Sequence, residues 1–455
     1  MTKNAWLKLN ETERKEVHSF CDGYIDFLNV ARTERLANIE IIRQAEAKGF
    51  KNIEEVDSLK AGDKVYVDQK GKAVLMFVIG KENIEKGLNI VGSHIDSPRL
   101  DVKANPLYED SDGMAKLKTH YYGGVKKYQY GTIPLAIHGV LFNKDGDRIE
   151  INIGDDDKDP VFCVSDLLIH LSKDQMAKTA REALTGEQMN VIIGNIPVEG
   201  KDEKEAVKAN ILKLIKDKYN FEEEDFKVAE LEVVPAGKAR EMGLDRSMIL
   251  GYGHDDRICA YTSLQAILEV ENPTKTALCI FADKEEIGSM GNAGMASYMF
   301  ENAVAEVVAR LGDYCELKVR RALKNSKVLS SDVSVAYDGD FAETCEKMNT
   351  AFLGGGIALV KYTGSGGKGG SNDANAEFLQ EVRTIFNEGN IVWQTGELGK
   401  VDQGGGGTIA LLLSKYGAEV VDCGPGLLNM HAPHEVASKV DTYMCYKAYK
   451  VFMDR

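Results

Sequence analysis

Thr276-Ala-Leu-Cys-Ile-Phe-Ala-Asp-Lys-Glu-Glu-Ile-Gly-Ser289 sets a short apolar run just ahead of two adjacent carboxylates and a glycine. The run from Thr276 to Phe281 has the length and composition of a buried strand. Side chains that neighbour each other on an extended backbone point in different directions. One of Glu285 and Glu286 can therefore hold a metal ion while the other faces a bound water or a substrate.

The same pattern, an apolar strand running into polar residues, recurs along the chain. Leu88–Val91 leads to Gly92-Ser-His-Ile-Asp-Ser-Pro98, and Ser247–Leu250 leads to Gly251-Tyr-Gly-His-Asp-Asp-Arg257 and then a helix from Ile258 to Val270. Lys327–Leu329 leads to Ser330-Ser-Asp332, and Ala418–Asp422 leads on to Leu428-Asn-Met-His431, with a last helix expected over Glu435–Met453. Helices are also expected over Glu11–Ala31, Thr33–Gly49 and Ala374–Asn387. Strands alternating with helices in this way predict an α/β fold with a mostly parallel central sheet and helices on both faces.

Between about Asp101 and Arg246 the texture changes. Short alternating segments such as Ala115–Tyr122, Ile133–Phe142 and Arg148–Ile153 dominate, with one helical stretch from Glu203 to Tyr219. We read residues 101–246 as a β-rich domain inserted into a catalytic domain made of residues 1–100 and 247–455. The acidic clusters Asp155–Asp157 and Glu222–Asp225 read as solvated loops.

A formal charge of -15 argues against nucleic acid and anionic membranes as partners, since both select basic patches. No apolar run approaches the roughly 18 residues of a membrane span, and the N-terminus lacks a secretory h-region, so the cytoplasm is the expected location. The eight cysteines form no C-x-x-C pair and read as reduced thiols.

His94/Asp96, Asp255/Asp256, Glu285/Glu286, Asp332 and His431/Glu435 all follow predicted strand ends. Ligands of open α/β sheets bind outside those ends, so these clusters would converge in one crevice. Their nitrogen and oxygen donors suit zinc, cobalt or manganese, and a carboxylate such as Asp255 can bridge two ions. Singly, each cluster also fits an ordinary role: Glu285-Glu286 a solvated turn, Asp255-Asp256 a helix cap, Asp332 a plain turn. The glycine run Gly364–Gly370 departs from the phosphate-loop pattern at Tyr362 and Gly369.

Gly92–Lys103, His254–Arg257, Phe281–Ser289, Ser330–Asp332 and Met430-His431 resemble, in order, motifs of the aspartyl aminopeptidase and vacuolar aminopeptidase I family. The resemblance spans nearly the whole chain. It implies a dizinc exopeptidase fold whose inserted β-rich domain serves dimerisation. It implies two divalent ions, zinc first with cobalt or manganese as alternatives. His94 and Asp332 would be terminal ligands of one ion, Glu286 and His431 of the other, with Asp255 bridging, Glu285 the general base and Asp96 orienting His94. It further implies peptide substrates with a free N-terminus, and self-association into a dodecamer built from dimers.

The family's Asp-x-Ala-His-Ala pattern is replaced here by Asp332-Val-Ser-Val-Ala336, with Val335 at the histidine position. That apolar change favours neutral or mixed specificity over a strict preference for N-terminal Asp or Glu, although Lys368 can still read an acidic side chain. Gly369 and Gly405, in the two glycine loops, offer backbone N–H groups to substrate oxygens.

Overall fold

The computed structural model describes residues 4–199, 205–312 and 314–455. The chain divides into two compact units. One comprises the chain up to Ser97, Ala239–Met430 and Glu435–Arg455; the other comprises Pro98–Lys238 with His431–His434.

In the first unit, strands rich in β-branched and apolar residues build a nine-stranded sheet. Its spatial order is Lys51–Asn52, Lys64–Gln69, Ala73–Val78, Ala277–Ala282, Asn89–His94, Lys327–Ser330, Glu419–Gly424, Ile357–Val360 and Trp393–Thr395. The run from Ala277–Ala282 through Glu419–Gly424 is parallel, and antiparallel pairings bring in Ala73–Val78 on one side and Ile357–Val360 on the other. The α/β expectation with a mostly parallel sheet holds.

Alternate residues of each central strand enter different cores, as a period of two demands. Val91, Cys279, Phe281 and Leu329 pack with residues of helices Glu11–Val30, His254–Leu268 and Lys439–Met453. Ile90, Leu278, Ile280 and Val328 pack instead with helices Met299–Arg310 and Glu316–Lys324. Both faces are thus covered, which is why these strands read as continuous apolar runs. The first helix starts where Asn10 and Glu13 form a reciprocal capping box.

Register brings three strand ends together. Ala282 lies opposite His94, and Ser330 lies opposite Gly92, so the chain leaves three adjacent parallel strands on one edge. Glu285, Asp96 and Asp332 follow immediately.

Two expected elements of this unit fall differently. Met248–Gly251 is not a strand of the central sheet; it pairs antiparallel with Glu435–Ser438 in a separate five-stranded sheet. The last helix accordingly begins at Lys439, because Val436 and Ala437 are spent on pairing with Leu250 and Ile249.

The second unit is built on a seven-stranded sheet whose recorded strand pairings are all antiparallel, including Arg99–Glu109, Ala115–Tyr122, Leu135–Phe142 and Glu230–Pro235. Helix Ala206–Tyr219 packs Val207 and Ile211 against Leu117, Ile137 and Leu231 of the sheet. The expected start of this helix at Glu203 lies outside the described residues. The acidic stretch Glu222–Asp225 is not simply a solvated loop: Asp225 is buried, and its carboxylate accepts the Glu222 N–H. Among the described residues no helix is long and apolar enough to cross a membrane.

Candidate metal centre

His94 ends its strand 2 % exposed, with both ring nitrogens committed. Nε2 lies 3.3 Å from Asp255 Oδ1 and 3.9 Å from Asp332 Oδ1. Nδ1 lies 3.1 Å from the Asp96 carbonyl and 3.3 Å from Asp96 Oδ1. A histidine whose Nδ1–H is held by a carboxylate or carbonyl presents Nε2 as the free donor for a metal. One donor atom each from His94, Asp255 and Asp332 fall within 4.8 Å of one another.

Asp255 sits at an irregular entry into helix His254–Leu268, where its backbone and that of Asp256 are not helical. Gly253 precedes it at φ 78°, where a Cβ would sit 1.9 Å from an Arg257 guanidinium nitrogen. Glycine is required at that point. The backbone N–H of Asp255 donates to Glu435 (3.2 Å), and its carbonyl accepts the Ser97 hydroxyl (2.7 Å). Asp256 turns inward instead and accepts the His94 N–H at 3.2 Å.

The two glutamates do not lie on extended backbone as expected. The strand stops at Ala282, Lys284 turns left-handed (φ 67°), and Glu285–Ile287 form one 3-10 turn. The cause is Asp96, fully buried, whose two carboxylate oxygens accept the N–H of Glu285 (3.1 Å) and of Glu286 (3.2 Å). Successive side chains of a 3-10 turn lie about a third of a turn apart, so the two carboxylates still diverge.

Burial and neighbouring carboxylates set the electrostatics of the centre. Burial pushes the Asp332 carboxyl well above the usual range; nearby His94 opposes this, and Asp255 and Glu285 add to it. Asp256 is raised in the same way, by burial and then by Asp332. Burial would lower His94, but the hydrogen bonds its ring donates to Asp255 and Asp96 outweigh it and raise the imidazole well above its ordinary value. Clustered carboxylates with an imidazole, largely shielded from water, are a set that a divalent cation would stabilise. The mixed nitrogen and oxygen donors fit zinc.

His431 stands at the start of the segment His431–His434, which packs with the second unit. Its Nδ1 lies 2.9 Å from the Gly124 carbonyl. Lys368 is 3.0 Å from Asp373 and 4.0 Å from the centre of the Tyr362 ring. Gly369 exchanges backbone bonds with Ser365, and Gly405 lies against the other glycine loop, where a Cβ would sit 2.3 Å from the Gly364 carbonyl. Lys368 and Gly404 line one cavity of about 330 Å3 with Tyr362, Glu397, Lys400 and Asp402.

Sequence reasoning passed over Ser97, and left Glu435 without a role. It also passed over the buried pair His254–Tyr24, whose Nδ1 and hydroxyl are 2.7 Å apart and where burial holds the imidazole down to about 3. Glu435 was visible as a lone acid beside His431, but its partner is a backbone N–H far away in sequence, which no spacing reveals.

The profile of a family described as aminopeptidase I zinc metalloprotease (M18) matches residues 27–453. A probable M18 family aminopeptidase 1 of Clostridium acetobutylicum is 54% identical over 456 residues, covering 99% of this chain and 98% of that protein. The crystal structure of an M18 family aminopeptidase from Thermotoga maritima superposes with a TM-score of 0.95 at 46% identity, covering 100% of this chain and 99% of the other. The S. cerevisiae mApe1 dodecamer structure shares the fold, with a TM-score of 0.75 at 19% identity and 97% of each chain covered.

Proposed function

This chain belongs to the aminopeptidase I (M18) family of zinc metalloproteases and is a zinc metallo-aminopeptidase, and from that premise we propose that it works with two zinc ions and Glu285 as general base. His94 and Asp332 would hold one ion, Glu286 and His431 the other, and Asp255 both. When bound, zinc polarises the scissile carbonyl and acidifies water. The observation that carries this reading is Asp96: one buried carboxylate orients His94 and holds the backbone of both glutamates.

In this reading Glu285, half-buried and next in chain to the ligand Glu286, accepts a proton from the attacking water. It then returns that proton to the departing amine nitrogen. Asp96 keeps Glu285 and Glu286 on diverging paths, so that base and ligand do not exchange places. The substrate enters with a free α-amine. Val335 removes an imidazole that would favour acidic first residues, and Lys368 must leave Asp373 before it can meet a carboxylate. Neutral or mixed specificity follows. As the family resemblance implies, the inserted domain would pair chains into dimers and the dimers would build a dodecamer, the assembly named for the S. cerevisiae mApe1 structure.

The test is a panel of peptides with free and N-acetylated termini, assayed after chelation and return of zinc, cobalt or manganese. Free-amine peptides should turn over and acetylated ones should not. Turnover of the acetylated series would instead favour a deacylase or carboxypeptidase chemistry on the same scaffold, and no turnover with any metal would defeat the proposal.

A further inference from the structure

Glu435 opens the strand Glu435–Ser438 and is buried. A carboxylate in that position needs hydrogen-bond donors to hold it there. Strand register supplies one. Gly251 lies opposite Glu435 across an antiparallel pair, and the chain leaving Gly251 turns through Gly253 into helix His254–Leu268. This brings the backbone N–H of Asp255 to 3.2 Å from Glu435 Oε2, to which it donates.

Asp255 has a particular need of that contact. N–H groups in the first turn of a helix find no partner within the helix. The φ and ψ of Asp255, -82° and 105°, also lie outside the helical range, so the helix does not itself fix this residue. On its other side, the Asp255 carbonyl accepts the hydroxyl of Ser97, which is fully buried, at 2.7 Å. Both backbone polar groups of Asp255 are therefore engaged by side chains from outside its helix. Ser97 follows His94 and Asp96 in one short segment, and His94 Nε2 lies 3.3 Å from Asp255 Oδ1. Glu435 also faces Tyr24: burial pushes that phenol well up, and the Glu435 charge adds to the effect. The Tyr24 hydroxyl is in turn 2.7 Å from Nδ1 of His254, the residue before Asp255.

We propose that Glu435 is a positioning residue for the metal centre: with Ser97 it clamps the backbone of Asp255 and so aims the carboxylate that the two ions share. The inference rests on the reading of Asp255 as the bridging ligand. A bridging carboxylate serves both ions, so loosening its backbone disturbs both at once. A group that orients a terminal ligand disturbs one.

The experiment titrates the zinc-loaded full chain and its variants with a chromophoric chelator that resolves two zinc ions. The kcat and KM for an unblocked dipeptide are measured in parallel, and far-UV circular dichroism selects the variants that fold. In Glu435→Ala both zinc affinities should fall about 10–100-fold. Its kcat should fall about 100-fold, with KM of the same order as wild type. Glu435→Gln keeps an acceptor oxygen for the Asp255 N–H and should recover most of both losses. Ser97→Ala opens the other side of the clamp and should also weaken both ions. Unchanged zinc affinities in Glu435→Ala would overturn the inference, as would a loss confined to one ion or a Gln variant no better than the Ala variant. Where Glu435→Ala does not fold, unchanged affinities in Ser97→Ala overturn it instead. Each of these results leaves the two-ion reading standing. A wild type that binds only one zinc ion, or an Asp255→Asn variant that keeps both affinities, would remove the bridging assignment and this inference together.

Discussion

Asp96→Asn isolates the group on which the proposed centre depends. The substitution keeps the shape of the side chain and removes its charge. In the native chain Asp96 Oδ1 accepts from Glu285 at 3.1 Å and Oδ2 from Glu286 at 3.2 Å. An amide has one oxygen and one NH2, so one of those backbone N–H groups would face another donor. Losing a hydrogen bond to a charged acceptor costs about 1.5–3 kcal/mol, and leaving a buried donor unsatisfied about 1–3 kcal/mol more. The turn can relieve this only by rotating, which moves Glu285 and Glu286 off their positions. Disturbing a group that orients metal ligands lowers affinity about 10–100-fold, and a comparable misplacement of the base costs about 100-fold in rate. The assay is zinc competition against a chromophoric chelator, with kcat/KM on an unblocked dipeptide and a urea midpoint measured in parallel. Zinc affinity and kcat/KM both within about twofold of wild type would refute the reasoning, because Asp96 would then be a bystander.

Much of this architecture is legible without coordinates, for a physical reason. Ala277–Ala282 and Asn89–His94 are covered on both faces, so apolar residues such as Leu278–Phe281 and Ile90-Val91 dominate them and the polar residues that follow mark the strand end. That is why His94, Glu285 and Asp332 could be grouped before the strand order was known. What spacing could not supply is the order itself, with Ala277–Ala282, Asn89–His94 and Lys327–Ser330 side by side, because parallel neighbours come from distant parts of the chain.

The misreadings share one cause, a side chain or strand engaged by something distant in sequence. Val436 and Ala437 fit a helix locally and become a strand because Ile249 and Leu250 await a partner. Glu285 and Glu286 fit an extended backbone locally and curl into a turn because Asp96 collects both of their amides. In each case the local sequence permits two states and a long-range contact chooses between them. A function carried by such contacts, as the holding of Asp255 by Glu435 is, is therefore the part that a motif search passes over.

Two further outcomes test the chemistry and the electrostatics. Glu285→Gln should retain zinc at wild-type stoichiometry yet lose about 10²–10⁴ in kcat; metal analysis with initial rates checks both, and a rate near wild type would move the base elsewhere. Asp441, on the last helix, provides the pH test. Its carboxylate accepts the N–H of Gly354 (2.7 Å) and of Gly356 (2.6 Å), and burial pushes it up to about 7. Unfolded, it titrates near 4. Between those values the native chain binds the extra proton, so its contribution weakens as pH rises from about 4 to 7 and is constant above. Asp441→Asn cannot titrate. From pH 5 to pH 8 the stability of wild type relative to the variant should therefore fall by about 2–3 kcal/mol, at 1.36 kcal/mol per unit. Urea unfolding at the two pH values measures it, and a difference constant within about 0.5 kcal/mol would mean that Asp441 is ionised in the native protein throughout, its two backbone donors outweighing burial.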